Sequence, residues 1–352
     1  MPIYFAVQSR VCDCQYHRPM LPIKHMKIIR ANHIGMCFGV RNAINTAFDI
    51  ASERQLSILG DLVHNPDVVA SLRDRGIRIA HEIKDLQTSD VLVTAHGISH
   101  RRLNVLNQSG FRVWDATCPL VRKAQQAIRD LASTGYHPVV IGRRDHVEVR
   151  GLTEDLPEYD VVLTESDIQN MAERPRLGVV AQTTQPIERV LHLLELMHAR
   201  FPLSELKFVD TVCPTTTLRR TAAVELAREC HAMVVVGGLN SNNTRELADA
   251  CRKVCAHVYH VETAADLLEE WFADISLVGI TAGTSTPDSA IGEVEERLRR
   301  IAGEPALETD QLSPEQMENE SAMARLWPGG SWNEHTRQSN CSGCVCDCDG
   351  MG

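Results

Sequence analysis

Three absences narrow the class of this chain before any motif is considered. No apolar run reaches the roughly 18 residues that a membrane-spanning helix needs, which argues against a transmembrane protein. The N-terminus has no basic stretch followed by an apolar core, so a secretory signal is not expected. Positive charge is not in excess: 36 Lys and Arg stand against 46 Asp and Glu, a formal net charge of −10. Nonspecific nucleic-acid binding needs a basic footprint, and nucleic acid is not an expected partner. A phosphate-bearing small ligand is still allowed, because helix N-termini and neutral donors build such sites locally. What is present is ordinary for a soluble globular protein, with 43% hydrophobic and 23% charged residues. A length of 352 residues suggests about two or three domains.

Cysteine, by contrast, is abundant, with twelve residues. Without a secretory signal the chain is expected in the cytoplasm, where cysteines read as metal ligands or catalytic groups before disulfides. Cys12 and Cys14 lie in residues 1–25, a stretch without clear periodicity that reads as a disordered N-terminal extension. A start at Met26, which opens "MKIIRAN", is an alternative. Cys341, Cys344, Cys346 and Cys348 lie in a polar tail over 312–352 that reads as flexible. Its "CSGCVCDC" is either a soft-metal site or a loose end with oxidisable thiols. The second reading is the plainer one, since no His stands at finger-like spacing.

Between the ends, short β-branched runs such as "HPVVIG", "LGVVAQT" and "AMVVVGG" alternate with helix-period runs such as "LVRKAQQAIRDLAS". That alternation predicts βαβ units and parallel sheets. It also repeats. Cys37, Cys118 and Cys213 each follow an extended segment and precede a helix, in "ANHIGMCFGVRNAI", "VWDATCPLVRKAQQAI" and "FVDTVCPTTTLRRTAA". Each helix leads to a strand ending in glycine, at Gly60, Gly142 and Gly237, at nearly the same interval from its cysteine. Polar tips follow: His64, His146, and Ser241 with Asn243. A second strand in each unit ends at His96, at Gln182 with Thr183, and at Thr284 with Ser285. Ligands of open α/β sheets bind outside the carboxyl ends of strands. The expected architecture is three pseudo-equivalent α/β units, over 26–117, 118–212 and 213–311, with small mainly parallel sheets arranged as a trefoil around a central cavity.

In that arrangement Cys37, Cys118 and Cys213 share one metal centre. Cys230 and Cys251 fall within helix-like runs and Cys255 just after one, so they read as packed apolar residues. Three thiolates without an equivalent His are a poor match to structural zinc. They suit an iron–sulfur cluster with one iron left open. A helix N-terminus favours each thiolate. The bland alternative is three buried cysteines at homologous corners of a repeat. His64, His96, His146, Ser241, Asn243, Ser285 and Thr183 together suit a multiply charged oxyanion such as a diphosphate, although any one His alone reads as structural. Glu148 follows His146 at a spacing that, in an extended segment, puts both on one face. It is either a proton donor in the cavity or a solvated loop residue.

The stretches "ANHIGMCFGV", "LVHNPDVV", "TAHGIS", "DATCPLV", "DHVEVRG", "AQTTQ", "VVVGGLNSNNT" and "ITAGTSTPD" occur in this order over residues 26–310. In them the chain resembles the 4-hydroxy-3-methylbut-2-enyl diphosphate reductase (IspH/LytB) family. The resemblance implies a [4Fe–4S] cluster on Cys37, Cys118 and Cys213, with one open iron. It implies diphosphate contacts from His64, His96, His146, Ser241, Asn243 and Ser285, with Thr183 near the substrate hydroxyl and Glu148 as the acid of a proton relay. The implied reaction is a two-electron reductive dehydroxylation that gives isopentenyl and dimethylallyl diphosphates, the last step of the non-mevalonate isoprenoid pathway. Electrons are expected from a ferredoxin or flavodoxin, ultimately from NADPH. Two departures stand out: "RRDHVE", which brings Arg143 and Arg144 close to the anion site, and "PTTTLRR" after Cys213, which puts the local helix start in question. The competing readings are a divergent paralogue acting as a non-catalytic iron–sulfur redox sensor and a zinc-dependent phosphate-ester hydrolase.

Overall fold

The computed structural model describes residues 26–63 and 65–304. The N-terminal extension, the Cys-bearing tail and His64 lie outside the described residues. The chain begins with β1 (Lys27–Arg30), α1 (Phe38–Ala51), β2 (Leu56–Leu59), α2 (Pro66–Asp74), β3 (Arg78–Ala80), β4 (Asp90–Val93), α3 (His100–Gln108) and β5 (Arg112–Asp115). It continues with α4 (Pro119–Ser133), β6 (His137–Ile141), α5 (Val147–Thr153), β7 (Asp160–Val162), α6 (Glu165–Gln169), β8 (Arg176–Ala181), α7 (Ile187–Arg200) and β9 (Glu205–Phe208). It closes with α8 (Pro214–Glu229), β10 (Ala232–Val236), α9 (Asn242–Arg252), β11 (His257–Val261), β12 (Leu277–Ala282) and α10 (Asp288–Ile301).

The strands form three four-stranded sheets, ordered β3-β2-β4-β5, β7-β6-β8-β9 and β11-β10-β12-β1. Among the described residues every pairing is parallel. Central strands such as β10, "AMVVV", are buried at every position, as expected where helices cover both faces of a parallel sheet. In the second sheet, Ala124, Ile128 and Leu131 of α4 pack on one face and Val190, Leu193 and Met197 of α7 on the other. The apolar residues of α4 recur at helical spacing, which is why that helix lies flat on its sheet.

One feature departs from sequence order. The boundaries drawn from sequence place residues 27–30 at the start of the first unit, 26–117. Their hydrogen bonds put them in the third sheet, where Lys27 is in register with Leu277 and Arg30 with Ile280. The physical reason is the repeat itself. β5 and β9 close the first and second sheets as edge strands just before Cys118 and Cys213, and β1 closes the third sheet just before Cys37. The chain therefore crosses from one sheet to the next at each cysteine. β3, a three-residue strand, is too short for its periodicity to register in the sequence.

Candidate functional site

Each repeat cysteine is the N-cap of a helix: Cys37 of α1, Cys118 of α4 and Cys213 of α8. Proline at the first helical position of α4 and α8 fixes the helix start, since its missing N–H would have been unsatisfied anyway. The "PTTTLRR" segment thus begins a regular helix, with Thr217 N–H donating to the Cys213 carbonyl at 3.2 Å. The backbone N–H of each cysteine donates to the turn beyond a strand: Cys118 to Ala95 after β4 at 3.0 Å, Cys213 to Thr183 after β8 at 2.8 Å, and Cys37 to Thr284 after β12 at 3.1 Å.

The three thiols lie near enough for their charges to interact. Ionised Cys37 raises the pKa of Cys118, and ionised Cys213 raises those of both. Gly39 is where α1 passes Cys118, and a Cβ there would lie 3.0 Å from the Cys118 Sγ. Burial pushes the Cys118 thiol up to about 11, and Cys37 is likewise raised. The N–H groups of Val40 and Gly39 at Cys37, and of Leu120 and Val121 at Cys118, pull the other way. The helix N-terminus thus favours the thiolates of Cys37 and Cys118, as expected, while the desolvation of burial acts against them and is the larger effect. Among the described residues no three His, Cys, Asp or Glu side chains are placed to hold a single metal ion. A polynuclear cluster, wider than one ion and soft enough for thiolates, fits this donor set.

Beside the cysteines stands a buried carboxyl group. Glu148 is 1% exposed, and its oxygens accept the Thr183 backbone N–H at 2.7 Å and the Thr183 hydroxyl at 3.1 Å. Burial pushes it up to about 7, although both bonds from Thr183 oppose the shift. Glu148 is not in an extended segment. It sits in the first turn of α5, whose N-cap is His146, and its own N–H donates to His146 Nδ1 at 3.2 Å. With Nδ1 accepting, the neutral imidazole carries its proton on Nε2, which is then a donor. His96, from the first unit, meets His146 edge to face at 5.6 Å between ring centroids.

The third unit contributes neutral donors. Ser241 caps α9 by accepting the Thr244 N–H at 3.3 Å. The buried Asn243 Nδ2, Thr244 Oγ1 and Ser285 Oγ have no hydrogen-bond partner among the described residues. Gly237, at φ +143°, brings β10 to the β12 turn so closely that a Cβ would lie 2.6 Å from Thr286 Oγ1. The two arginines absent from the resembling pattern part ways. Arg143 donates to Asn242 Oδ1 at 3.2 Å and so links the His146 loop to the start of α9. Arg144 turns away to the Val161 carbonyl at 3.2 Å.

Sequence spacing misassigned one tip and overlooked another. Gln182 is fully buried and supports the loop, accepting the Arg143 N–H at 3.1 Å and donating to Thr184 Oγ1 at 3.1 Å. The cysteine N–H bonds make Ala95, Thr183 and Thr284 equivalent, so Thr184 is the counterpart of His96 and Ser285. Thr184, Thr216, Arg219 and Asn243 line a small cleft between the second and third units.

The chain matches the LytB protein family over residues 28–299. It is 37% identical over 276 residues to the 4-hydroxy-3-methylbut-2-enyl diphosphate reductase of Syntrophotalea carbinolica, covering 78% of this chain and 98% of that protein. To the protein of the same name from Trichlorobacter lovleyi it is 36% identical over 278 residues, covering 78% and 99%. A solved structure described as (E)-4-hydroxy-3-methyl-but-2-enyl diphosphate reductase, the terminal enzyme of the non-mevalonate pathway, superposes with a TM-score of 0.60 at 35% identity, covering 78% of this chain and 100% of the other. The Plasmodium falciparum E-1-hydroxy-2-methyl-but-2-enyl-4-diphosphate reductase shares the fold, with a TM-score of 0.75 at 23% identity, covering 86% and 99%. By its sequence and its three-sheet architecture, the chain belongs to the LytB protein family.

Proposed function

We propose that this chain reduces 4-hydroxy-3-methylbut-2-enyl diphosphate to isopentenyl and dimethylallyl diphosphates. The observation that carries the reading is the position of Thr183. Its N–H and O–H donate to Glu148 while its carbonyl accepts the N–H of Cys213. One residue thus joins a buried carboxyl group, pushed up to about 7 by its burial, to a proposed metal ligand.

Cys37, Cys118 and Cys213 would hold the [4Fe–4S] cluster. When bound, the cluster supplies electrons and one iron without a protein ligand, able to act as a Lewis acid. His96, His146 through Nε2–H, Ser241, Asn243 and Ser285 would hold the diphosphate, with His64 as a further contact carried over from the family. These donors are neutral or weakly basic, so they orient the anion without a cluster of lysines or arginines. Glu148, with Thr183, gives its proton to the allylic hydroxyl. The C–O bond then breaks and water leaves. Two electrons enter the allyl fragment, and a second proton, from the diphosphate or from Glu148 once solvent has reprotonated it, adds at either end of it. That ambiguity yields two products. The electrons come from a ferredoxin or flavodoxin and ultimately from NADPH, in the cytoplasm. A redox sensor would have no use for a buried proton donor tied to the cluster ligands.

The test uses protein prepared without oxygen. Iron and sulfide are counted, and turnover is then followed with reduced viologen as donor. Consumption of the hydroxylated allylic diphosphate with release of both products is expected. A fully iron-loaded sample that leaves the substrate untouched would overturn the assignment.

A further inference from the structure

Arg219 is the only buried arginine or lysine among the described residues, at 4% exposed. It projects from α8, the helix that Cys213 caps, and its Nη2 donates to the Gly35 carbonyl at 2.7 Å. Gly35 belongs to the loop that delivers Cys37, so the guanidinium spans two of the three cysteine-bearing segments. Burying a guanidinium costs several kcal/mol unless negative charge and hydrogen bonds offset it. Three thiolates on an iron–sulfur core carry net negative charge, and each added electron increases it. A fixed positive charge nearby stabilises the reduced form more than the oxidised one.

We propose that Arg219 is a positioning residue for the iron–sulfur centre, holding the Cys37 loop and raising the reduction potential of the bound cluster. This rests on the proposed cluster assignment. None of the reactions above requires it, since Arg219 transfers no proton and no electron.

The experiment compares full-length, cluster-loaded wild type with Arg219→Gln and Arg219→Lys, prepared without oxygen. Iron and sulfide content is measured first and the midpoint potential of the cluster second. Arg219→Gln is expected to retain iron and to show about a tenfold lower ratio of reduced to oxidised cluster at a fixed potential, roughly 59 mV for a one-electron couple. Arg219→Lys, which keeps the charge, should stay near wild type. If Arg219→Gln loses iron while Arg219→Lys keeps it with an unchanged potential, the charge is still required and the proposal stands. A fully loaded Arg219→Gln with the wild-type potential overturns it. So does an Arg219→Lys that is as impaired as Arg219→Gln, because the side chain would then matter only for its shape. Wild type without iron or sulfide would instead sink the proposed function, whatever the variants do.

Discussion

Thr183 meets Glu148 with both of its donors, the backbone N–H at 2.7 Å and the hydroxyl at 3.1 Å, one to each carboxyl oxygen. The carboxyl group is therefore fixed in position as well as buried. Glu148→Gln preserves its volume and can still accept the Thr183 N–H, but has no acidic proton to release. The variant should keep wild-type iron content and diphosphate affinity while kcat falls about 10²–10⁴-fold, the usual contribution of a positioned proton donor. Single-turnover kinetics on iron-loaded protein measure this. Wild-type rates would remove Glu148 from the chemistry.

The same residue sets a pH dependence whose sign follows from its direction of shift. Glu148 is raised from an ordinary 4.5 to about 7 by burial. Between those values the folded protein holds a proton that the unfolded chain has released. Stability therefore falls as pH rises through this window and levels off above it. A displacement of this size corresponds to about 3 kcal/mol against the ionised form. Urea midpoints at pH 5 and pH 8 should separate in wild type and draw together in Glu148→Gln. Turnover should likewise fall above pH 7 as the donor loses its proton.

Much of this was legible in the sequence, and what escaped has specific causes. The cysteines stand out because a strand, a cysteine and a helix recur in phase, and proline marks the helix start in α4 and α8. Long-range closure is invisible to such patterns. β1 looks like the start of the first unit, and only pairing across the whole chain places it beside β12. In "AQTTQ" the residue types cannot decide which threonine is which. The backbone bond from Cys213 to Thr183 does, putting Thr183 beside Glu148 and Thr184 in register with His96 and Ser285. Arg219 is hard to find for a different reason, since nothing in "LRRTAAVELA" says that the first arginine is buried and the second is not.

The division of the body cysteines into two sets gives a second contrast. Cys230 ends α8 and is 8% exposed, in a core cluster with Met233, Cys251 and Cys255. Burial pushes its thiol up to about 11, so it is neutral and unreactive at physiological pH. Cys230→Ser should leave iron per chain unchanged and cost about 1 kcal/mol of stability or more, about 1 being the centre of the range for point substitutions. Cys118→Ser should lower the iron content and abolish turnover. Equal iron in both variants would dissolve the ligand assignment.

Ser285 and Asn243 make opposite demands on stability and affinity. The buried Ser285 Oγ and Asn243 Nδ2 have no hydrogen-bond partner among the described residues, and an unsatisfied buried polar atom costs about 1–3 kcal/mol. A diphosphate held as proposed would remove that cost by accepting from both, and bonds to a charged partner contribute about 1.5–3 kcal/mol each. Ser285→Ala and Asn243→Ala should therefore melt at or above the wild-type temperature without ligand, yet bind inorganic pyrophosphate about 10- to 100-fold more weakly. Calorimetry without ligand and titration with pyrophosphate read the two effects separately. A variant that loses stability but keeps its affinity would make these side chains structural, and the anion would have to be held by the histidines and α9 alone.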